Sequence, residues 1–182
     1  MDLYHLFSAT FFVLMLLLGL FVLIPLLIHP RGDKISFVFI RLWVGTWAFL
    51  SGIRFEVHGK EHIDLNQSYI YIFNHRSNLD APLLPMVIPH YVRAIGKKEL
   101  SKIPIFSTVV SKLAIWVDRS NPESRHESMG KLVSLLNQGI SVVVSPEGTR
   151  NNTDQTLLPF QKGAFRLAIE TQTPIMEMAV IG

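Results

Sequence analysis

Phe73-Asn74-His75-Arg76-Ser77-Asn78-Leu79-Asp80 follows an apolar run, Tyr69 to Phe73, and leads into Ala81-Pro82-Leu83-Leu84. Residues five apart lie about 140° apart around a helix axis, and on a strand they point to opposite faces. His75 and Asp80 therefore meet only if the chain turns between them. Ser77 and Asn78 suit that turn, since both residue types cap helix starts. The stretch reads as strand, turn, helix, with His75 before the turn. Asp80 then falls in the first helical turn, where the positive end of the helix dipole favours a carboxylate.

The neighbouring segments extend this unit into a layered domain. Tyr69 to Phe73 is uniformly apolar and suits a central strand. Ile53 to His58 alternates with period two and predicts a half-exposed strand. A helix is expected from about Asn78 to Met86, a strand over 91–95, and a short helix over 105–113. Ala114 to Val117 reads as a further strand. Asn121 before Pro122 marks a helix start, with its end at Gly139. Ile140 to Val144 is a strong strand, and Ser145-Pro146-Glu147-Gly148-Thr149-Arg150 is a loop. Gln161 to Glu170 suits a helix and Ile175 to Ile181 a last strand. Strands alternating with helices predict an α/β fold with a mixed, partly parallel sheet flanked by helices.

The first 52 residues differ in character. Leu6 to Ile28 carries no charged side chain. As a helix it would reach about 35 Å, enough for a hydrocarbon core of about 30 Å. Pro25 is expected to kink its end. A polar turn at His29 to Lys34 follows. Ile35 to Ile53 then carries only Arg41 among charged residues and holds Trp43 and Trp47, side chains suited to a membrane interface. The expected organisation is a membrane-associated helix pair over 1–52 and a catalytic domain over 53–182. The pair forms either a hairpin or a span plus an interfacial helix. The apolar strand at the C-terminus suggests that further structure follows.

The chain has 182 residues, net charge +3 and no cysteine. Disulfides, thiolate metal sites and a cysteine nucleophile are excluded, and the charge is too small to argue for nucleic acid. Between Arg93 and Arg119 there are six basic residues and two acidic ones. Several fall at predicted strand ends, where open α/β sheets bind ligands. Arg and Lys there suit a phosphate, and an apolar anchor suggests a lipid carrying it. No phosphate loop, nucleophile elbow or H-E-x-x-H zinc motif occurs, and no metal is expected. The His75–Asp80 spacing alone is a weak signal and reads more readily as an inert buried pair.

Four blocks taken together are more specific. Asn74 to Asp80 resembles the N-H-x-x-x-x-D block of the glycerolipid acyltransferases. Ile115-Trp116-Val117-Asp118-Arg119 is similar to their second block, Ser145 to Arg150 to their F-P-E-G-T-R block, and Thr173 to Met178 to their fourth. Order and spacing agree over about residues 55–182, and the likeness extends to bacterial 1-acyl-sn-glycerol-3-phosphate acyltransferases, which also carry an N-terminal helix pair. Leu113, Ser145 and Met176-Glu177-Met178 depart from the usual pattern, the last bearing on the acyl pocket.

The resemblance implies transfer of a fatty acyl group from an acyl-CoA or acyl-carrier-protein thioester to lysophosphatidic acid, giving phosphatidic acid, with no cofactor. It implies membrane lipids as partners and a bacterial inner membrane location with the catalytic domain facing the cytoplasm. His75 is the expected base and Asp80 its orienting partner. Backbone N–H groups after Asn78 are candidates for an oxyanion site. Arg150 is the expected phosphate ligand, with Lys97 and Arg119 as further cationic contacts and Gly148 and Thr149 lining the site. Glu147 either binds glycerol oxygens, orients Arg150 or fixes the loop. Asn74 and Arg76 are expected to brace the loop. The alternatives are another acceptor such as glycerol 3-phosphate or a different lysophospholipid, a non-catalytic module holding anionic lipid, and a hydrolase.

Overall fold

The computed structural model describes residues 3–29, 32–103, 107 and 110–181. Side chains of Leu3, Leu18 and residues 20–27 are outside that description. Two long helices come first, α1 (Leu3–Ile28) and α2 (Gly32–Leu50). There follow β1 (Ile70–Phe73), α3 (Asp80–Val87), β2 (Val92–Lys97), β3 (Ala114–Val117), α4 (Pro122–Asn137), β4 (Ser141–Val144), α5 (Gly163–Thr171) and β5 (Ile175–Met178). Short 3-10 turns occupy Lys60–His62 and Lys98–Lys102.

The five strands form one sheet in the order β3-β2-β4-β1-β5. Every pairing is parallel, so the expected mixed sheet is corrected to a wholly parallel one. Parallel neighbours need crossovers, and α3, α4 and α5 provide three of them. All five strands therefore end at the same rim.

Helices cover both faces, and this is why β1 is apolar at every position. Tyr71 and Phe73 pack with Phe37, Leu84, Ile88, Val92 and Val143 on one face. Ile70 and Ile72 pack with Ile115, Leu132, Leu136, Val142 and Leu167 on the other. Tyr71 is fully buried, and its hydroxyl lies 2.6 Å from His90 Nδ1. Burial pushes its phenol up to about 12, so it stays a neutral donor.

α4 starts and stops where its sequence says. Asn121 accepts from Glu123 N at 2.9 Å and Ser124 N at 3.4 Å, and Pro122 takes the first helical position. At the other end Gly139 adopts φ 74°, Gly139 N donates to Leu136 O and Ile140 N to Leu135 O. This is the paired termination that a left-handed residue after a helix allows.

Ile53 to His58 is not a strand; it runs without regular structure from α2 toward the sheet. Its alternation reflects half-covered side chains (Ile53 and Val57) rather than ladder pairing. Of the expected helix over 105–113, Ser107 and Val110 are helical and 111–113 form a turn, while 105, 106, 108 and 109 lie outside the described residues, as do Pro30 and Arg31 of the polar turn and the Pro25 side chain.

α2 belongs to the packed body of the domain. Its Phe37 enters the sheet core. Its Val44, Trp47 and Ala48 pack with Phe11, Phe12, Leu83 and Met86. A Cβ added at Gly45 would come 2.9 Å from Met86 Cε, so α2 and α3 lie in close contact. The opposite side of the pair is apolar and uncovered, with Phe7, Leu14, Leu42 and Phe49 exposed. Among the described residues, no helix is long and apolar enough to cross a membrane.

One glycine sets the spacing at the rim. A Cβ at Gly96 would lie 2.6 Å and 2.7 Å from Trp116 Cζ3 and Cε3 on the neighbouring strand. The Trp116 ring rests over the bare glycine, and its Nε1–H donates to Ser111 Oγ at 2.8 Å. Gly96→Ala is therefore expected to lower stability by about 1–3 kcal/mol through overpacking. Chemical denaturation should show less than half that loss when the same change is made in a Trp116→Leu background. An equal loss in both backgrounds would mean that the ring is not the cause.

Candidate functional site

The site is assembled at the rim where the parallel strands end. β1 delivers Asn74 to Asp80, and β4 delivers Ser145 to Arg150 beside it. The pairing of Ile72 with Val144 puts the two loops next to one another.

His75 Nδ1 lies 2.9 Å from Asp80 Oδ2, so the turn predicted between them brings the pair into contact. The same oxygen accepts from Arg76 N and Ser77 N, each at 2.8 Å. A carboxylate accepting three bonds at a helix start is held in one orientation and fixes the ring it touches. Asp80 is buried, whereas the His75 side chain keeps 23% of its surface open. The His75 ring also packs against Phe73, centroids 5.5 Å apart. Among the described residues, none bonds Nε2, the nitrogen on the far side of the ring from Asp80.

Glu147 is buried, and both its oxygens are engaged. Oε1 accepts His75 N at 3.0 Å and Oε2 accepts Leu158 N at 2.8 Å. Of the three alternatives for this side chain, these bonds describe the loop-fixing one. Two backbone bonds complete the junction, Asn151 N to His75 O at 2.7 Å and Gln161 N to Pro146 O at 2.7 Å. Gly148 has φ 72°, a left-handed conformation that a side chain rarely adopts.

The cations differ in how they are held. Arg150 donates through Nε to Asn152 Oδ1 at 2.8 Å and through Nη1 to Asn78 Oδ1. Both acceptors are neutral amides, so its charge has no carboxylate against it among the described residues. Arg119 donates to the Gly148 carbonyl and so braces the loop backbone. Lys97 sits at the rim but pairs with Glu99 at 3.5 Å, and Lys98 pairs with Asp118 at 3.6 Å. Thr149 is exposed on the same loop. The structure thus gathers His75, Asp80, Glu147 and Arg150 tightly, joins Arg119 through Gly148, and leaves Lys97 engaged elsewhere.

Asn74 and Arg76 are the braces expected of them. Asn74 exchanges two bonds with the backbone of Val180, at 2.9 Å and 2.7 Å. Arg76 reaches the carbonyls of Thr153 and Gln155. The oxyanion expectation is corrected in part. Leu79 N and Asp80 N turn back onto Ser77 Oγ and Ser77 O, so they are occupied. Sequence reasoning missed Asn78 as the partner of Arg150. Asn before a helix reads as a cap, and no pattern links it to a residue 72 positions away.

A family profile described as Acyltransferase matches residues 54–181. The 1-acyl-sn-glycerol-3-phosphate acyltransferase alpha of Ovis aries is 34% identical over 158 residues, 82% of this chain and 53% of that protein. The 1-acyl-sn-glycerol-3-phosphate acyltransferase of Haemophilus influenzae is 33% identical over 136 residues, 74% of this chain and 56% of that protein. The crystal structure of the 1-acyl-sn-glycerophosphate acyltransferase PlsC from Thermotoga maritima superposes with a TM-score of 0.74 at 28% identity. It covers 95% of this chain and 69% of its own. The chain spans about half the length of the curated relatives it matches. On the profile match and these relatives, it belongs to the acyltransferase family.

Proposed function

We propose that this protein moves a fatty acyl group from an acyl thioester to the free hydroxyl of lysophosphatidic acid, yielding phosphatidic acid and a free thiol. The observation that carries the reading is the 2.9 Å contact between His75 Nδ1 and Asp80 Oδ2, with Nε2 unbonded among the described residues. Nδ1–H donates to the carboxylate, which leaves a lone pair on Nε2 to act as base. Nε2 takes the acceptor hydroxyl proton as that oxygen bonds to the thioester carbonyl carbon. The tetrahedral intermediate collapses, the C–S bond breaks, and the thiolate receives the proton held on Nε2. Asp80 stabilises the imidazolium between the two transfers. No covalent enzyme intermediate is required.

Arg150 is the proposed phosphate ligand. Its two amide partners orient the guanidinium without neutralising it, so an anion gains the full charge attraction. Arg119 is assigned to holding the Gly148 turn, with the substrate phosphate within its reach as a second role. Glu147 is assigned to clamping the loops. Gly148 and Thr149 shape the acceptor side of the site, and Lys97 contributes only to the surrounding field. Acyl-CoA or an acyl-carrier-protein thioester is the proposed donor.

The substrate's chains place the reaction at a membrane, and α1 with the outer side of α2 is the proposed anchor. Supporting this are the absence of charge from Leu6 to Ile28 and the exposed apolar side chains of both helices.

His75→Ala should abolish acyl transfer from a long-chain acyl-CoA while the protein remains folded. Turnover within about tenfold of the parent would remove the base assignment. Arg150→Ala should raise KM for lysophosphatidic acid far more than for a phosphate-free acceptor. An equal change on both acceptors would contradict phosphate contact. Glu147→Gln tests the clamp, because an amide N–H₂ would face one of the two backbone donors. Its unfolding midpoint should fall by the equivalent of about 1–3 kcal/mol, with kcat reduced and acceptor KM little changed. Unaltered stability with a raised acceptor KM would instead make Glu147 a substrate ligand.

A further inference from the structure

The catalytic domain carries an apolar surface that neither the core nor the α1–α2 pair covers. Leu157, Phe160, Phe165 and Ile169 are 46%, 45%, 38% and 73% exposed. The rings of Phe160 and Phe165 stack on each other, centroids 6.3 Å apart at 24°. On α5, Ala164 and Leu167 face the sheet, so Phe165 and Ile169, one turn apart, form the outward stripe.

Two features say what covers this surface. The first is charge. Lys162 and Arg166 flank the stripe, one turn apart, and neither has a carboxylate partner among the described residues; Glu170 is the one acidic side chain on the exposed arc of α5. An apolar stripe bordered by unpaired cations is the pattern of a helix lying on an anionic bilayer. A second copy meeting this face across a two-fold axis would bring the cations toward their own counterparts, a disfavoured arrangement. The second feature is continuity with the site. Leu158 N is bonded to Glu147 and Gln161 N to Pro146 O, so Leu157 and Phe160 sit on a segment fastened directly to the catalytic loops.

We propose that Leu157, Phe160, Phe165 and Ile169, with Lys162 and Arg166, form a second membrane-docking surface that seats the rim of the sheet on an anionic bilayer. This contact is separate from α1 and α2, since α5 packs on the opposite face of the sheet from α2 and α3. It rests on the reading of the substrate as a membrane lipid. The stripe enters the headgroup region while the cations engage lipid phosphates, which positions the loops bearing His75 and Arg150 toward lipid in the same leaflet.

The chain contains no cysteine, so a single one can be labelled in the 182-residue chain without background. Phe160→Cys and Phe165→Cys would each carry an environment-sensitive dye, with Gln138→Cys, exposed at the end of α4, as reference. Vesicles of phosphatidylcholine with or without phosphatidylglycerol are the probe. With anionic vesicles, the dyes at 160 and 165 should shift to the blue and brighten about threefold, while the dye at 138 stays unchanged. Lys162→Glu with Arg166→Glu should weaken the vesicle dependence of the 165 signal by roughly tenfold. Co-sedimentation of the labelled protein with unshifted dyes at 160 and 165 would overturn the proposal while leaving the α1–α2 anchor intact. A shift that appears without vesicles and grows with protein concentration would overturn it in favour of self-association. The readout needs no turnover, so a failed acyl-transfer assay would not disturb it.

Discussion

Asp80 Oδ2 accepts three hydrogen bonds, from His75 Nδ1, Arg76 N and Ser77 N, and the arrangement of the site follows from that oxygen. It closes the turn between β1 and α3 and holds the imidazole with one nitrogen inward and one outward. Both roles need an acceptor oxygen at this spacing from the histidine. A burial cost attaches to the charge, and hydrogen bonds from two backbone groups and a ring nitrogen offset it.

Glu147 does for the loops what Asp80 does for the ring. Its two oxygens join the chain after β1 to the segment before α5, across gaps of 72 and 11 positions. The loops after β1 and β4 become one unit, braced further by Arg119 on the Gly148 carbonyl and Arg76 on the 153–155 carbonyls. Most of the charged side chains at the rim are therefore spent on structure. Arg150 is different, since neutral amides hold it and its charge stays available. A wholly parallel sheet makes this economy possible, because it delivers every strand end, and so every loop, to one edge.

Much of this was legible in the sequence where the signal is local. The turn between His75 and Asp80 followed from their spacing. α4 followed from Asn121-Pro122 at one end and Gly139 at the other. The central place of β1 followed from its unbroken apolar run. What was not legible depends on residues far apart in the chain. Sheet order and the parallel sense of every pair are tertiary, and so is the engagement of Glu147 with Leu158. The bond from Arg150 to Asn78 joins two residues 72 positions apart, and neither type marks the other as its partner. Ile53 to His58 misled because period-two alternation reports a half-covered chain, whether or not a neighbouring strand is present to pair with it. Gly96 gave no sign of its role, since the Trp116 ring that requires it belongs to another strand.

The account turns on Asp80 acting through its charge as well as its position, and Asp80→Asn separates the two. An amide oxygen in the place of Oδ2 can still accept from His75, Arg76 and Ser77, so the turn is retained while the negative charge is lost. The direct measurement is steady-state acyl transfer to lysophosphatidic acid by this variant, with kcat and KM determined separately. The account predicts a fall in kcat of about three to four orders of magnitude, with acceptor KM and unfolding midpoint close to the parent. A kcat within a few-fold of the parent would show that the imidazolium needs no counter-charge, and the His75–Asp80 pair would then be structural.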